Sequence, residues 1–410
     1  MKRGELPEGW EWKRLEEIAE INSRFEKNSF NDETKVTFLP MRCVEELTGR
    51  MDTSIEKKYG EIKTGYTPIQ EGDLLFAKIT PCIENGKIAI AQNLINGIGF
   101  ASTEFHTLKF SPDNATKFYF FYLMQEKIRQ EAAQNMTGTA GQQRVPVTFL
   151  KRLKVPVPPL PVQRQIVAVL EQAETVKRQR QEADALTGAL LQSVFYEMFG
   201  DPVRNERGWE VKVLNDLVID KKSISCGPFG SQLKIGEYTA DGIPVLGIDN
   251  VAINKFIQAK PKFISKEKFK QLIAFKVRDD DVLISRTGTI ARTCVLPKDF
   301  GDAIIGPNLL RISLNQKEIL PIFLSVSFSY FPSMIDQILR VSPGATVAVL
   351  NTENLRKIRI IVPPLALQQH FARVVEEVER IREQQVASGK EIKGLCEGLM
   401  ARAFAGELVG

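Results

Sequence analysis

The chain has 410 residues, more than one ordinary core accommodates at roughly 100–200 residues per domain, so two or three domains are expected. Hydrophobic residues make up 43% and charged residues 26%, with 28 Gly and 21 Pro, which excludes a disordered, collagen-like or mucin-like chain. A formal net charge of +5 permits a nucleic-acid partner without requiring one, because what matters is whether the charge gathers on one face.

The N-terminus, Met1-Lys2-Arg3-Gly4-Glu5, leads into no apolar signal segment. The most apolar stretches, Phe118 to Met124 and Ile319 to Phe328, fall well short of the roughly 20 residues of a membrane span. The five cysteines (Cys43, Cys82, Cys226, Cys294, Cys396) are odd in number, far apart and without a C-x-x-C, which argues against a disulfide framework or zinc knuckle and for a reducing compartment. A soluble, cytoplasmic protein is expected.

Along the chain, Val157-Pro158-Pro159-Leu160 returns as Val362-Pro363-Pro364-Leu365 at an offset of 205 residues. Leu150 to Val155 (LKRLKV) matches Leu355 to Ile360 (LRKIRI) at the same offset, and Gly9-Trp10-Glu11-Trp12-Lys13 is echoed by Gly208-Trp209-Glu210-Val211-Lys212 at an offset of 199. The chain therefore reads as a diverged tandem duplication. Each half opens with short strands and turns: Asp73 to Ile79 and Asp281 to Ser285 are apolar runs, and Glu84-Asn85-Gly86-Lys87 is a turn. After each proline cluster, about 40 residues run without proline up to Gly200 and up to Gly406.

These two runs predict long helices with coiled-coil seams, at Ile166, Val169, Ala173, Val176, Ala183, Leu190 and Val194 in the first and Phe371, Val374, Val378, Ile381, Ile392, Leu395 and Leu399 in the second. Polar residues sit mid-seam in both, Arg180 and Thr187 against Gln385 and Ser388, and such residues fix register. Separate amphipathic helices on separate cores are the alternative. Two helices of about 60 Å on one chain, at 1.5 Å per residue, pair most simply antiparallel. The predicted fold is α+β, with two recognition-type domains of mixed sheet and helices (1–156 and 201–361) separated by two spacer helices (157–200 and 362–410) in a pseudo-twofold internal repeat.

Catalytic chemistry finds no foothold. The two histidines, His106 and His370, fall in a strand-like segment and on a helix surface, which argues against a His metal site or triad. No G-x-x-x-x-G-K-[ST], no Gly-rich dinucleotide turn and no D-P-P-Y or N-P-P-Y tetrapeptide occurs. The run Asp279-Asp280-Asp281 reads as an exposed turn rather than a cation site. What recurs instead are loops of small, amide and basic residues: Met136 to Arg144 (MTGTAGQQR), Cys226 to Lys234 (CGPFGSQLK) and Ser285-Arg286-Thr287-Gly288. Glycines permit close backbone approach, while Gln pairs bidentately with adenine and Arg with guanine. Singly these are plain turns; on twin domains they fit bipartite duplex recognition, with Lys and Arg neutralising phosphates.

At this level the sequence resembles the DNA-specificity subunits of Type I restriction-modification enzymes over nearly its whole length. The carriers are Leu6-Pro7-Glu8-Gly9-Trp10 with its echo Arg207-Gly208-Trp209, the P-P-L-x-x-Q at Pro158 to Gln163 and Pro363 to Gln368, Gly200-Asp201-Pro202, and Phe404-Ala405-Gly406-Glu407-Leu408. The resemblance implies two target-recognition domains each reading one part of a split double-stranded DNA sequence, and helices that set the spacing and dock two methyltransferase (modification) subunits. It implies no catalysis in this chain: S-adenosylmethionine would belong to the modification subunits, and ATP with Mg to restriction/translocase subunits. Pro81 to Lys87 (PCIENGK) with Gly97 to Phe105 (GIGFASTEF) looks like one recognition-domain type, and Gly227 to Lys234 (GPFGSQLK) like another, so the two half-sites are expected to differ. Candidate DNA-binding residues are Lys78, Thr80, Lys87, Thr103, Glu104, Thr139, Gln142, Gln143 and Arg144 in the first domain, and Ser231, Lys234, Arg286, Thr287, Arg292, Asn308 and Arg311 in the second. The competing reading is a coiled-coil adaptor that never reads DNA.

Overall fold

A computed structural model describes residues 6–23, 30–139, 141–259, 262–287, 292–340 and 349–408; of the residues singled out above, Met1 to Glu5, Ala140 and Gly288 lie outside the described residues. Contacts divide the chain into two units, Met1–Arg180 with Ala387–Gly410, and Gln181–Val386. Both divisions fall inside the two long helices, Leu160–Phe199 and Leu365–Ala405.

Unit 1 holds two four-stranded sheets. One runs Ala19–Ile21, Phe105–Phe110, Leu74–Ala77, Ile88–Ile90, all antiparallel. The other runs Glu56–Lys58, Lys35–Leu39, Ile98–Ala101, Thr67–Gln70, with the central pair parallel. Leu74–Ala77 is buried at every position, which is why its sequence reads as a continuous apolar run instead of an alternation. Unit 2 repeats this plan. Its antiparallel sheet runs Ile224–Cys226, Leu309–Ile312, Val282–Ser285, Thr293–Val295, and its mixed sheet again contains one parallel pair, Ile243–Leu246 with Ile304–Ile305, here with Ile304–Ile305 at the sheet edge. The units differ at one sheet edge. In unit 1 the fourth strand, Thr67–Gln70, extends the Ile98–Ala101 side, whereas in unit 2 Tyr238–Thr239 extends the opposite side, on Lys262–Ile264.

The repeated sequence motifs meet in space. Glu11–Arg14 pairs antiparallel with Lys154–Val157, and Glu210–Val213 with Arg359–Val362, so the G-W opening of each half lies beside the strand that precedes its P-P-L-x-x-Q. The glutamine of that motif has one task in both units. Gln163 is fully buried, its carbonyl accepting from Ala115 N at 2.8 Å and its amide donating to Pro158 O at 2.8 Å. Gln368, also fully buried, accepts from Leu320 N at 2.9 Å and donates to Pro363 O at 2.8 Å and Glu318 O at 3.0 Å. Ala115 and Leu320 immediately precede the helices Thr116–Met124 and Pro321–Tyr330, so each glutamine ties the start of a long helix to the start of a globular one. The long helices stop at Gly200 and Gly406, whose φ values of 78° and 76° are left-handed.

Within each unit the two long helices run antiparallel beside each other. In unit 1, Cys396 Sγ lies 3.6 Å from Ala173 O. In unit 2, Gln385 Nε2 donates to Thr187 Oγ1 at 2.8 Å, Arg382 reaches Thr187 O at 3.3 Å, and Phe195 and Phe199 contact Phe371. Two of the polar mid-seam residues thus bond to each other. The apolar seam needs correction: Ile166, Phe371 and Val378 are buried and Val169, Ala173, Val194, Val374, Ile381, Ile392 and Leu399 half-buried, but Val176, Leu190 and Leu395 are exposed. The inward positions are Leu170, Leu191, Val375 and Cys396, one residue further along than several predicted positions. A straight helix drifts about 20° per heptad from a 3.5-residue repeat. Moreover, the helix ends face globular cores wider than a single helix. Ile166 and Leu170 join Phe404, Phe118 and Leu150 in the unit 1 core, and Leu191, Phe195 and Phe199 join Phe323, Phe328 and Phe371 in that of unit 2. The apolar stretch at Ile319 to Phe328 is part of this second core, and among the described residues no single helix is long and apolar enough to cross a membrane.

Candidate nucleic-acid interface

In unit 1 the described residues of the loop Met136 to Arg144 form a ribbon. Thr137 N and Arg144 N each donate to the other's carbonyl, at 3.0 and 2.9 Å, around Gly138 and Gly141, both with positive φ. The ribbon is docked on Lys78 to Thr80 by Thr80 N to Gln143 O at 3.0 Å and Val145 N to Lys78 O at 2.8 Å, and Lys78 N donates to Glu104 O at 2.9 Å. Residues far apart in sequence, Lys78, Thr80, Glu104, Gln142, Gln143 and Arg144, therefore form one cluster. Thr103, Thr139, Gln142 and Gln143 are exposed at its surface. Lys78 also lines a cleft of about 370 Å³ with Asn22, Tyr59, Lys63, Tyr66 and Phe105.

Arg144 Nε and Nη2 donate to the two oxygens of Glu104 at 2.9 and 2.8 Å, and Nη1 donates to Gln142 O at 3.0 Å. These bonds from Arg144 hold the Glu104 carboxyl below its ordinary pKa. Thr80 Oγ1 donates to Glu84 Oε1 at 2.7 Å, and Lys87 Nζ to Met41 O at 3.3 Å, so both polar heads are engaged within the fold. His106 lies beneath the cluster, with Nε2 2.9 Å from Val145 O and Nδ1 3.1 Å from Asn22 Nδ2, and burial lowers its pKa. That geometry fits a neutral ring protonated on Nε2.

Unit 2 builds a different surface on the same sheet plan. Gly227 lies so close to Gly306 that a β-carbon there would stand 1.9 Å from Gly306 O, which explains the glycine at the head of the Cys226 to Lys234 loop. Phe229 N donates to Gln232 Oε1 at 3.1 Å, and Gln232 N donates to Phe229 O at 2.7 Å, closing a tight turn. Arg286 Nε donates to Leu350 O at 3.2 Å and Nη1 to Pro307 O at 3.4 Å and Cys226 Sγ at 3.3 Å. Its guanidinium lies 5.3 Å from the centre of the Phe229 ring. Arg286 N also donates to Asn308 O at 3.0 Å, bringing Asn308 to the same place. Ser231, Lys234, Arg292 and Asn308 are exposed and Thr287 half-buried.

Arg311 is a correction. It lies on Leu309–Ile312, a strand buried at every position, and is 3% exposed. Its guanidinium bonds Lys276 O and Lys222 O and stands 3.7 Å from Asp281, so it braces the fold and does not reach the surface. Asp281 departs from the exposed turn read at 279–281: it is buried and accepts from Ser313 Oγ at 2.5 Å and Arg278 N at 2.7 Å. The residue missed in sequence is Phe229, half exposed over Arg286; its signal was being the sole aromatic in a loop of small and polar residues.

The family model for the Type I restriction modification DNA specificity domain matches this chain twice, at residues 7–184 and 206–389. The chain belongs to that specificity family. Among curated relatives, the EcoEI specificity subunit of Escherichia coli is 41% identical over 165 residues, which are 40% of this chain and 27% of that protein. The EcoAI subunit of the same species is 40% identical over 167 residues, 28% of its length, so both matches span little more than a quarter of those proteins. A putative MjaX specificity subunit from Methanocaldococcus jannaschii is 22% identical with 99% of this chain and 95% of that protein covered. In fold, the chain is similar to one from a solved type I R-M complex (TM-score 0.65, 21% identity, 99% and 100% covered) and to the S subunit from M. genitalium (TM-score 0.56, 13% identity, 98% of each covered). Each of the two specificity-domain matches spans a whole sheet pair and the start of its long helix, as the duplication requires.

Proposed function

We propose that the chain is the DNA-reading subunit of a Type I restriction-modification assembly, each unit reading one half of a split, asymmetric duplex target. The observation that carries this reading is a shared sheet plan dressed with different clusters: an Arg144–Glu104 pair on an amide-rich ribbon in unit 1, and an Arg286–Phe229 stack on a glycine turn in unit 2. Same scaffold and different donors mean different half-sites. The paired helices set the gap between half-sites and dock two modification subunits, and the chain itself carries no catalysis. S-adenosylmethionine, ATP and Mg act in the partner subunits.

Co-expression with the modification subunit, purification of the complex and single-molecule sequencing of the host DNA for methylated bases test this. A split motif with a fixed gap and unlike halves is expected. A palindromic motif overturns the asymmetry, and failure to form any complex favours the adaptor reading.

A further inference from the structure

Resting on the DNA-reading function above, we propose that Arg144 reads a guanine in the half-site of unit 1 and that Glu104 is its positioning residue. A guanidinium has five N–H donors in a rigid plane. Here three are engaged: Nε and one Nη2 hydrogen on Glu104, one Nη1 hydrogen on Gln142 O. Two remain, one on each terminal nitrogen, and a guanidinium presenting donors on both terminal nitrogens is the group that meets O6 and N7 of guanine in the major groove. The root of the side chain is fixed as well, because Arg144 exchanges both backbone hydrogen bonds with Thr137. The Arg144 side chain is 41% exposed and that of Glu104 24%, so the carboxylate buttresses from below while the donor edge stays accessible.

Charge distinguishes this role from phosphate binding. A carboxylate bonded to both inner donors offsets the positive charge and repels a phosphate at the same distance, whereas a neutral base edge with two acceptors suffers no such penalty. Exposed Gln142 and Gln143 flank the donor edge and add amide donors and acceptors for the neighbouring base pair.

The test uses the full chain, as wild type, Arg144→Ala, Arg144→Lys and Glu104→Gln, each selecting from a randomised duplex library. Wild type is expected to enrich a split motif. Arg144→Ala should lose guanine preference at one position of one half-site, Arg144→Lys should weaken it there, and both should keep every position of the other half-site, which serves as an internal control for folding. Replacing that guanine by 7-deazaguanine, which removes N7, should weaken wild-type binding about tenfold, leave Arg144→Ala unchanged and have an intermediate effect on Glu104→Gln. If wild type enriches a motif but Arg144→Ala and Arg144→Lys enrich the same one, Arg144 reads no base and the inference falls. A Glu104→Gln protein with full guanine preference and full 7-deazaguanine sensitivity removes Glu104 from its positioning role. If wild type enriches nothing, the DNA-reading function itself fails and takes this inference with it.

Discussion

Replacing Gln368 by alanine removes a side chain that satisfies three backbone groups, Leu320 N, Pro363 O and Glu318 O, at 2.8–3.0 Å. Alanine is at least as good a helix former, so local propensity contributes no loss. Each buried group left unpaired costs about 1–3 kcal/mol, and with water partly replacing the bond at Glu318, which is half-buried, the net is about 3 kcal/mol. Because the bonds join the start of Leu365–Ala405 to the start of Pro321–Tyr330, the loss should be local to unit 2. Native-state hydrogen exchange should show amides there losing protection by about 100-fold, as 3 kcal/mol implies, with unit 1 much less affected. Gln163→Ala should produce the mirror result in unit 1. Gln369→Ala, at the exposed neighbouring position, should change stability by less than about 0.5 kcal/mol. Equal effects at 368 and 369 would refute the claim that the motif glutamine is a structural tie.

Arg286→Ala should weaken or relax recognition of the unit 2 half-site by about 1–3 kcal/mol if it reads a base, and unchanged affinity and site preference in a duplex-binding assay count against it. One heptad inserted in the first long helix alone should break pairing with the second. Matched heptads in both should lengthen the gap in the methylated motif by about 10 Å, or roughly three base pairs, and an unaltered gap contradicts the ruler role. His106, whose pKa burial lowers, binds its proton more readily unfolded than folded; its contribution is full above about pH 6.5 and is lost as pH falls through the folded value. The drop in urea midpoint between pH 7 and pH 5 should therefore be smaller in His106→Gln than in wild type.

Much of the architecture was legible because duplication makes a sequence its own control. The two P-P-L-x-x-Q segments and the Gly200 and Gly406 stops located both long helices, and the mid-seam polar residues were visible in sequence, although that Thr187 bonds Gln385 only the structure gives. Seam register was not legible at the ends, since Leu190 and Leu191 are chemically alike and only the bulk of the neighbouring core decides which turns inward. Arg311 was misplaced because nothing local marks an arginine as the partner of a buried Asp281 thirty residues earlier. Likewise the Arg144–Glu104 pair spans 40 residues, and only the docking of the ribbon on Lys78 to Thr80 brings it together.

The core of unit 1 contains Ile166 and Leu170 together with Ala403 and Phe404, the latter ring packing 5.1 Å from that of Phe118 at a tilt of 60°. Its last apolar pieces are thus synthesised more than two hundred residues after its first. During translation the early strands form and wait with an open apolar flank until the final turns of the second long helix emerge. At ribosomal rates of about 5–20 residues per second, that interval is some 10–40 seconds, during which unit 1 is a natural client for chaperones.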